Sequence, residues 1–200
     1  MNSSPEDSIE LLKLFVERVE KLDGSSYIKT IRENHLKLSI KASFVDRTIR
    51  FTNSAPNSEY LDAFLFTLRL FMQKKDSISI VKTADMIEAL NVSQEAKDRF
   101  FRQQNFLDKF LEEPSMIMID GRAINNNELL ETILYGYRGH LKISQPLYKQ
   151  YKEWAANPIA TNIVGFAFNN VLVTYFEALC VMAGNCRLML AELQAKTEAG

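Results

Sequence analysis

Apolar residues recur at helical spacing along most of the chain. In the first such segment they lie three or four residues apart, at Ile9, Leu12, Val16 and Val19. Ser4 and Pro5 precede that stripe and Gly24 follows it, which are the residue types typical of helix starts and ends. Similar stripes predict helices in residues 59–73, 83–90, 94–113, 128–137 and 146–157, and a long one in 158–195.

One stretch alternates instead with a period of two, which is typical of a strand with one buried face. Its apolar positions are Leu36, Leu38, Ile40, Ala42 and Phe44, and polar residues separate them. A short turn at residues 45–47 and a second alternating run through Ile49 and Phe51 complete a hairpin over 36–52. The predicted fold class is therefore α+β and predominantly α-helical, with a helical body, a small antiparallel hairpin sheet and a long C-terminal helix.

Several boundaries follow from local signals. The segment "SISIV", residues 77–81, predicts a short strand, and Thr83 is expected to cap the helix after it. Asp120-Gly121 predicts a tight turn after a β-prone run at residues 115–119. Asn127 is expected to cap the helix that begins at residue 128, while Pro146 and Pro158 start the two helices that follow. Since no composition shift divides the chain, residues 1–200 are predicted to form a single domain.

The predicted helix 158–195 is apolar in every direction of its middle part. Asn169, Asn170 and Glu177 interrupt it, and each is costly in hydrocarbon, so a buried helix is preferred to a membrane span. Either the chain's own helices cover this surface or a second copy does, because monomers seldom expose large apolar patches. A twofold dimer predicts an interface with these residues: Phe176, Leu172, Leu179 and, as an anchor beside the stripe of residues 59–73, Arg69.

The charge balance gives no general attraction to nucleic acid. There are 24 Lys and Arg residues against 25 Asp and Glu, for a net charge of -1. A local basic patch is nevertheless expected on the polar face of the hairpin, from Lys37, Lys41, Arg47 and Arg50. These side chains can contact phosphates, but a solvated sheet face is the more common explanation for such a pattern, and no aromatic residues alternate with them for base stacking.

Other sequence features exclude several classes of function. The two cysteines, Cys180 and Cys186, lie six apart on a predicted helix, so no disulfide is expected between them. No metal-ligand spacing and no phosphate-binding or nucleophile motif is present, so neither a metal nor a cofactor is predicted. The start "MNSSPEDSIELLK" is acidic and polar, unlike a secretory signal, and a cytoplasmic location is expected.

The stretch "ETILYGYRGHLKI", residues 131–143, is the best candidate for chemistry. Arg138 can bind an anion, His140 can transfer a proton near neutral pH, and Tyr137 can donate a hydrogen bond. Two glycines three residues apart nevertheless favour a bend over a catalytic site, with the helix ending at Gly136 or Gly139. HEPN ribonucleases are also helical but carry an arginine shortly before a histidine, and neither histidine here has one at that spacing. The chain resembles that family in helical architecture alone, which assigns no catalytic residue.

The function predicted from these features is a non-enzymatic protein-interaction or regulatory module that self-associates. Its expected partner is a protein, including a second copy of the chain. One alternative is an RNA- or nucleotide-directed hydrolase that uses Arg138 and His140. A further alternative is nucleic-acid binding through the basic hairpin face. A membrane partner is not expected.

Overall fold

The computed structural model describes residues 5–23, 37–53, 58–73, 76 and 78–198. Its helices are α1 Pro5–Asp23, α2 Ser58–Met72, α3 Ile80–Ala89, α4 Gln94–Glu112, α5 Asn126–Gly136, α6 Gln145–Ala155 and α7 Pro158–Glu198. Its strands are β1 Leu38–Ser43, β2 Thr48–Asn53, β3 Pro114–Ile119, β4 Arg122–Asn125 and β5 Leu141–Lys142. The prediction of a mostly helical α+β fold with a small antiparallel sheet and a long C-terminal helix is confirmed.

The predicted hairpin forms and gains a third strand. β1 and β2 pair antiparallel, with Leu38 opposite Asn53 and Ser43 opposite Thr48, and the two-residue β5 pairs with the other edge of β2. The apolar face is buried through Leu38, Ile40, Ile49 and Phe51. Phe44 departs from the prediction, because it lies in the turn after β1 and is 78% exposed. The predicted start of the strand at Leu36 lies outside the described residues.

A second hairpin joins β3 to β4 through Asp120 and Gly121. Both turn residues have positive φ, 49° and 75°, as a tight two-residue connection of this kind requires. The turn was predicted from the Asp-Gly pair and is confirmed. Along β3 the side chains alternate, so that Ile117 and Ile119 are buried while Met116 and Met118 are exposed.

Two predicted helix caps were wrong. The N-cap of α3 is Ser79, whose hydroxyl accepts a hydrogen bond from the Lys82 N–H, and residues 80 and 81 are helical rather than extended. The N-cap of α5 is Asn125, which accepts from the Glu128 N–H at 2.8 Å while the Glu128 carboxylate accepts from the Asn125 N–H. In both cases the helix begins earlier than expected, because a residue upstream supplies the side-chain acceptor.

The long helix α7 begins at Pro158 as predicted and continues to Glu198. Within the described residues it is the one helix whose length and apolar composition would suffice to cross a membrane, and 61% of its most apolar window is buried inside the protein. A helix buried to this extent has the character of a core helix.

Contacts divide the chain into two compact units. Unit 1 comprises Met1–Ser25, Thr67–Asp108 and Tyr175–Gly200, and unit 2 comprises Ser26–Phe66 and Lys109–Thr174. In unit 1, Phe15 of α1 packs edge-to-face on Phe71, with ring centroids 5.3 Å apart. Unit 2 holds both sheets. This division does not test whether residues 1–200 form a single domain, which stays a prediction.

In unit 2, Phe51 at the centre of β2 anchors the packing. Its ring meets Tyr151 of α6 and Phe168 of α7 edge-to-face, at centroid distances of 5.6 Å and 5.2 Å. All three rings are fully buried. The main sheet therefore packs its apolar face against α6 and the N-terminal part of α7.

Candidate functional site

The bend at residues 135–140 is built around Phe51. Helix α5 ends at Gly136, one of the two glycines proposed to end it, and the next residue, Tyr137, bridges to Phe51 of β2. The Arg138 N–H donates to the Phe51 carbonyl at 2.8 Å. A Cβ at Gly136 would lie 2.7 Å from two ring carbons of Phe51. Glycine is therefore needed there because the ring of β2 takes the space that a side chain would occupy.

The bend also places an arginine against a carboxylate of α2. Nη1 of Arg138 lies 2.8 Å from Oδ2 of Asp62, and both side chains are partly exposed. Arg138 adopts a positive φ of 51°, which is uncommon for a residue with a side chain. The guanidinium proposed to bind an anion is thus already neutralised by an acidic residue of the same unit.

Tyr137 lies beside this ion pair with its ring buried. Burial raises the pKa of Tyr137 to about 12, and the Asp62 carboxylate adds to the rise while the Arg138 guanidinium opposes it. A phenol with such a pKa stays protonated across the physiological range. It can donate a hydrogen bond, but it is a poor general base at neutral pH.

His140 is exposed and lies between the bend and β5. Tyr137, Arg138 and Asp62 form one polar cluster, whereas no described contact links the His140 side chain to it. His35 lies outside the described residues. The arrangement can bind and orient polar groups, and burial holds the Tyr137 phenol in its neutral form.

The structure brings together part of the predicted basic patch. Lys41 of β1 pairs directly with Arg50 of β2, so both side chains lie on the polar face of the sheet. Arg47 follows in the turn, and Lys37 directly precedes β1. Lys142 of β5 also belongs to this patch, because it pairs with Thr48 on the same face. It was not among the residues predicted for the patch from the sequence.

The predicted dimer contacts on α7 are covered within the chain. Leu172, Phe176 and Leu179 have at most 1% of their surface exposed. They therefore do not form the exposed apolar surface that the predicted interface requires. The physical reason is that other parts of the same chain pack on this side of the helix. Arg69 of α2 is half-buried. Self-association itself stays a prediction. The burial bears only on the residues that were expected to form the interface.

Between the exposed Glu177 and the end of α7, one exposed stripe of the helix in unit 1 consists of apolar residues and glycine, while Arg187 and Lys196 occupy other exposed positions. The members of this stripe, here termed the C-terminal seam, are Val181, Gly184, Leu188, Ala191 and Ala195, and all five are exposed. Their spacing alternates three and four residues, which is the a/d pattern of a coiled coil. Half of the surface of Val181 and 54% of Leu188 face solvent. The heptad signal was present in the sequence but was hidden among the other apolar residues of the helix.

Two clefts in unit 2 offer additional room. One, of about 180 Å³, is lined by Met116, Asn126 and Asn170 among others, and the other, of about 190 Å³, has Glu128, Glu131 and Tyr135 in its wall. Sites for drug-sized ligands usually enclose about 300–1,000 Å³. Both clefts fit a single side chain of a partner better than a whole substrate.

Comparisons with protein-family models, with curated proteins and with solved structures found no match. Among the described residues, no group of three or more histidine, cysteine or acidic side chains has a metal-binding arrangement.

Proposed function

We propose that this protein is a non-enzymatic interaction module that self-associates through the C-terminal seam of α7. The observation that supports this most is the exposed heptad pattern of Val181, Gly184, Leu188 and Ala191. Isolated apolar residues are common on surfaces, but five in register on one helix face form a continuous apolar strip. Its small residues let a second helix approach closely, and Val181 and Leu188 supply the larger side chains that interlock.

The charges beside the seam suit a second copy in parallel orientation. Arg187 directly precedes Leu188 and Glu192 directly follows Ala191, which places them at the two flanking positions of the heptad pattern. In a parallel pair, the first of these positions faces the second position of the other chain, so that Arg187 and Glu192 attract across the interface. Within the chain Arg187 also contacts Glu20, and Glu192 accepts hydrogen bonds from Ser93.

Other features support an interaction protein over a hydrolase. Arg138 is paired with Asp62, and burial holds Tyr137 neutral, so neither group offers a free cation or a base. Cys180 and Cys186 are both free, as their spacing on one helix predicts, and a cytoplasmic location is part of this proposal.

A charge placed in the seam tests the proposal. Leu188→Glu puts a carboxylate where two seams meet, and it is expected to convert a dimer of twice 23.0 kDa into a folded monomer. The measurement is mass by light scattering, with circular dichroism to confirm the fold. The matched control is Phe106→Glu, because Phe106 is 53% exposed on α4, close to the 54% of Leu188, and lies outside the seam.

A wild-type protein that stays at 23.0 kDa at the highest reachable concentration contradicts self-association. Equal dissociation by Leu188→Glu and Phe106→Glu contradicts the seam as its location.

Orientation is tested by crosslinking. In a parallel twofold pair, Ala191 faces its own copy, so Ala191→Cys in a Cys180→Ser background should form an intermolecular disulfide on mild oxidation. Glu88→Cys, at an exposed position of α3, is the control expected to stay uncrosslinked. An antiparallel pair would leave Ala191→Cys monomeric on a non-reducing gel.

A further inference from the structure

The turn between β1 and β2 exposes two adjacent apolar side chains. Phe44 is 78% exposed and Val45 is 94% exposed. They belong to the four-residue turn 44–47, here termed the tip, which projects beyond the last strand pair, Ser43 with Thr48. A hairpin turn normally carries polar residues, since it faces water on most sides. Two consecutive apolar residues at this position are therefore an unusual feature of the surface.

Basic side chains surround the tip. The basic collar consists of Lys41, Arg47, Lys142 and Lys152, and all four are exposed. Lys142 lies opposite Thr48 in the row of the sheet next to the turn, and Lys41 lies two residues before Ser43. Nζ of Lys152 is 5.4 Å from the centre of the Phe44 ring, so this cation of α6 reaches the tip itself.

One acidic residue lies within the tip and is used by the hairpin itself. Asp46 accepts a hydrogen bond from the Thr48 hydroxyl at 2.9 Å. Hydrogen bonds from Ser43 and Thr48 hold the pKa of Asp46 below its usual range, so the carboxylate stays ionised and fixes the turn. The collar thus supplies four cations against the one carboxylate within the tip.

We propose that the tip docks onto an anionic phospholipid bilayer, with Phe44 and Val45 entering the headgroup region and the basic collar contacting lipid phosphates. Stable attachment to a membrane surface generally needs two signals, an apolar insertion and an electrostatic attraction. The tip and its collar supply both within one small surface. Val45 has the most exposed large apolar side chain in the described part of the chain, and as an aliphatic residue it favours lipid over nucleic acid, because bases stack on aromatic rings. One side of the Phe44 ring is moreover occupied by Lys152.

Co-sedimentation with vesicles tests the proposal. The wild-type protein is expected to bind vesicles that contain phosphatidylserine and not to bind vesicles of phosphatidylcholine alone. Phe44→Ser/Val45→Ser should weaken binding by about tenfold or more, because the apolar insertion is lost. The control Phe106→Ser removes a comparably exposed aromatic ring from α4 and should leave binding unchanged.

Charge is tested separately. Each Lys or Arg near an anionic surface strengthens binding about fivefold, so Lys142→Gln/Lys152→Gln is expected to weaken it about 25-fold. Phe44→Trp in a Trp154→Phe background reports insertion directly, through a blue shift of the one remaining tryptophan on vesicle addition.

Equal binding to both kinds of vesicle, no binding to either, or an unchanged affinity of Phe44→Ser/Val45→Ser overturns the proposal. The proposal is also overturned if the protein binds an RNA or DNA oligonucleotide through the tip and does not bind vesicles. Dimerisation is not required, since each chain carries its own tip, and Leu188→Glu is expected to retain vesicle binding.

Discussion

At the scale of single residues, the glycine at position 136, the last of α5, is required by a neighbouring side chain from strand β2. Its missing side chain leaves room for Phe51, whose ring Tyr151 and Phe168 hold in place. Gly136→Ala is therefore expected to lower the free energy of unfolding by about 1–3 kcal/mol through overpacking. Urea unfolding at low protein concentration measures it.

Gly184→Ala in a Leu188→Glu background, where the seam does not associate, is the matched control, because a Cβ there meets nothing within 4 Å. In a helix this change should be neutral or stabilise by up to about 1 kcal/mol. Similar losses at both positions would contradict the role assigned to Phe51.

Tyr137 predicts a dependence of stability on alkaline pH. Its pKa is raised in the folded state to about 12, from an ordinary value of 10.0 that applies to the unfolded chain. The folded state thus favours the neutral phenol, and this contribution is complete below pH 10.0 and is lost as the pH rises through about 12. Wild-type protein should lose stability relative to Tyr137→Phe across that window, by roughly 2 kcal/mol in total.

The measurement is urea unfolding of both proteins from neutral pH to pH 12. Burial also raises the pKa of Tyr151, so each protein destabilises at high pH, and the difference between the two curves isolates Tyr137. Parallel curves would show that the Tyr137 phenol titrates normally.

At the scale of elements, the start of α5 depends on one capping box. Asn125 and Glu128 satisfy each other's backbone N–H groups, whereas Asn127 lies inside the helix. Asn125→Ala is expected to lower the free energy of unfolding by about 1 kcal/mol. Asn127→Ala should change it little, because alanine favours helix interiors. If urea unfolding showed a larger loss of unfolding free energy for Asn127→Ala than for Asn125→Ala, Asn127 would be the N-cap after all.

At the scale of the whole molecule, self-association links stability to concentration. A dimer that forms from folded monomers stabilises the native state by mass action, so the Tm of wild-type protein should rise with protein concentration. The Tm of Leu188→Glu should stay constant, since the charge prevents association. Differential scanning calorimetry over a wide concentration range measures both. A wild-type Tm independent of concentration would argue against the seam.

Much of the secondary structure was predictable because its signals are local. Pro158 starts α7, Asp120-Gly121 forms the turn of the second hairpin, and alternation marks β1 and β2. Each of these depends on backbone preferences of a few consecutive residues. The end of α5 within residues 135–140 was predictable for the same reason. The caps at Ser79 and Asn125 were missed because several neighbouring Ser, Thr and Asn residues compete for one role.

The sequence by itself thus determined the fold class, the first hairpin and the extent of the long helix. Only the tertiary structure decided which side of α7 is covered, leaving Leu188 exposed and Phe176 buried. It also decided that Asp62 forms an ion pair with Arg138. Phe44, which the alternating pattern assigned to the buried face of the first strand, lies instead in the exposed turn. The physical reason is that a periodic pattern specifies what a segment can bury. What it does bury depends on segments distant in the chain, whose positions no local preference encodes.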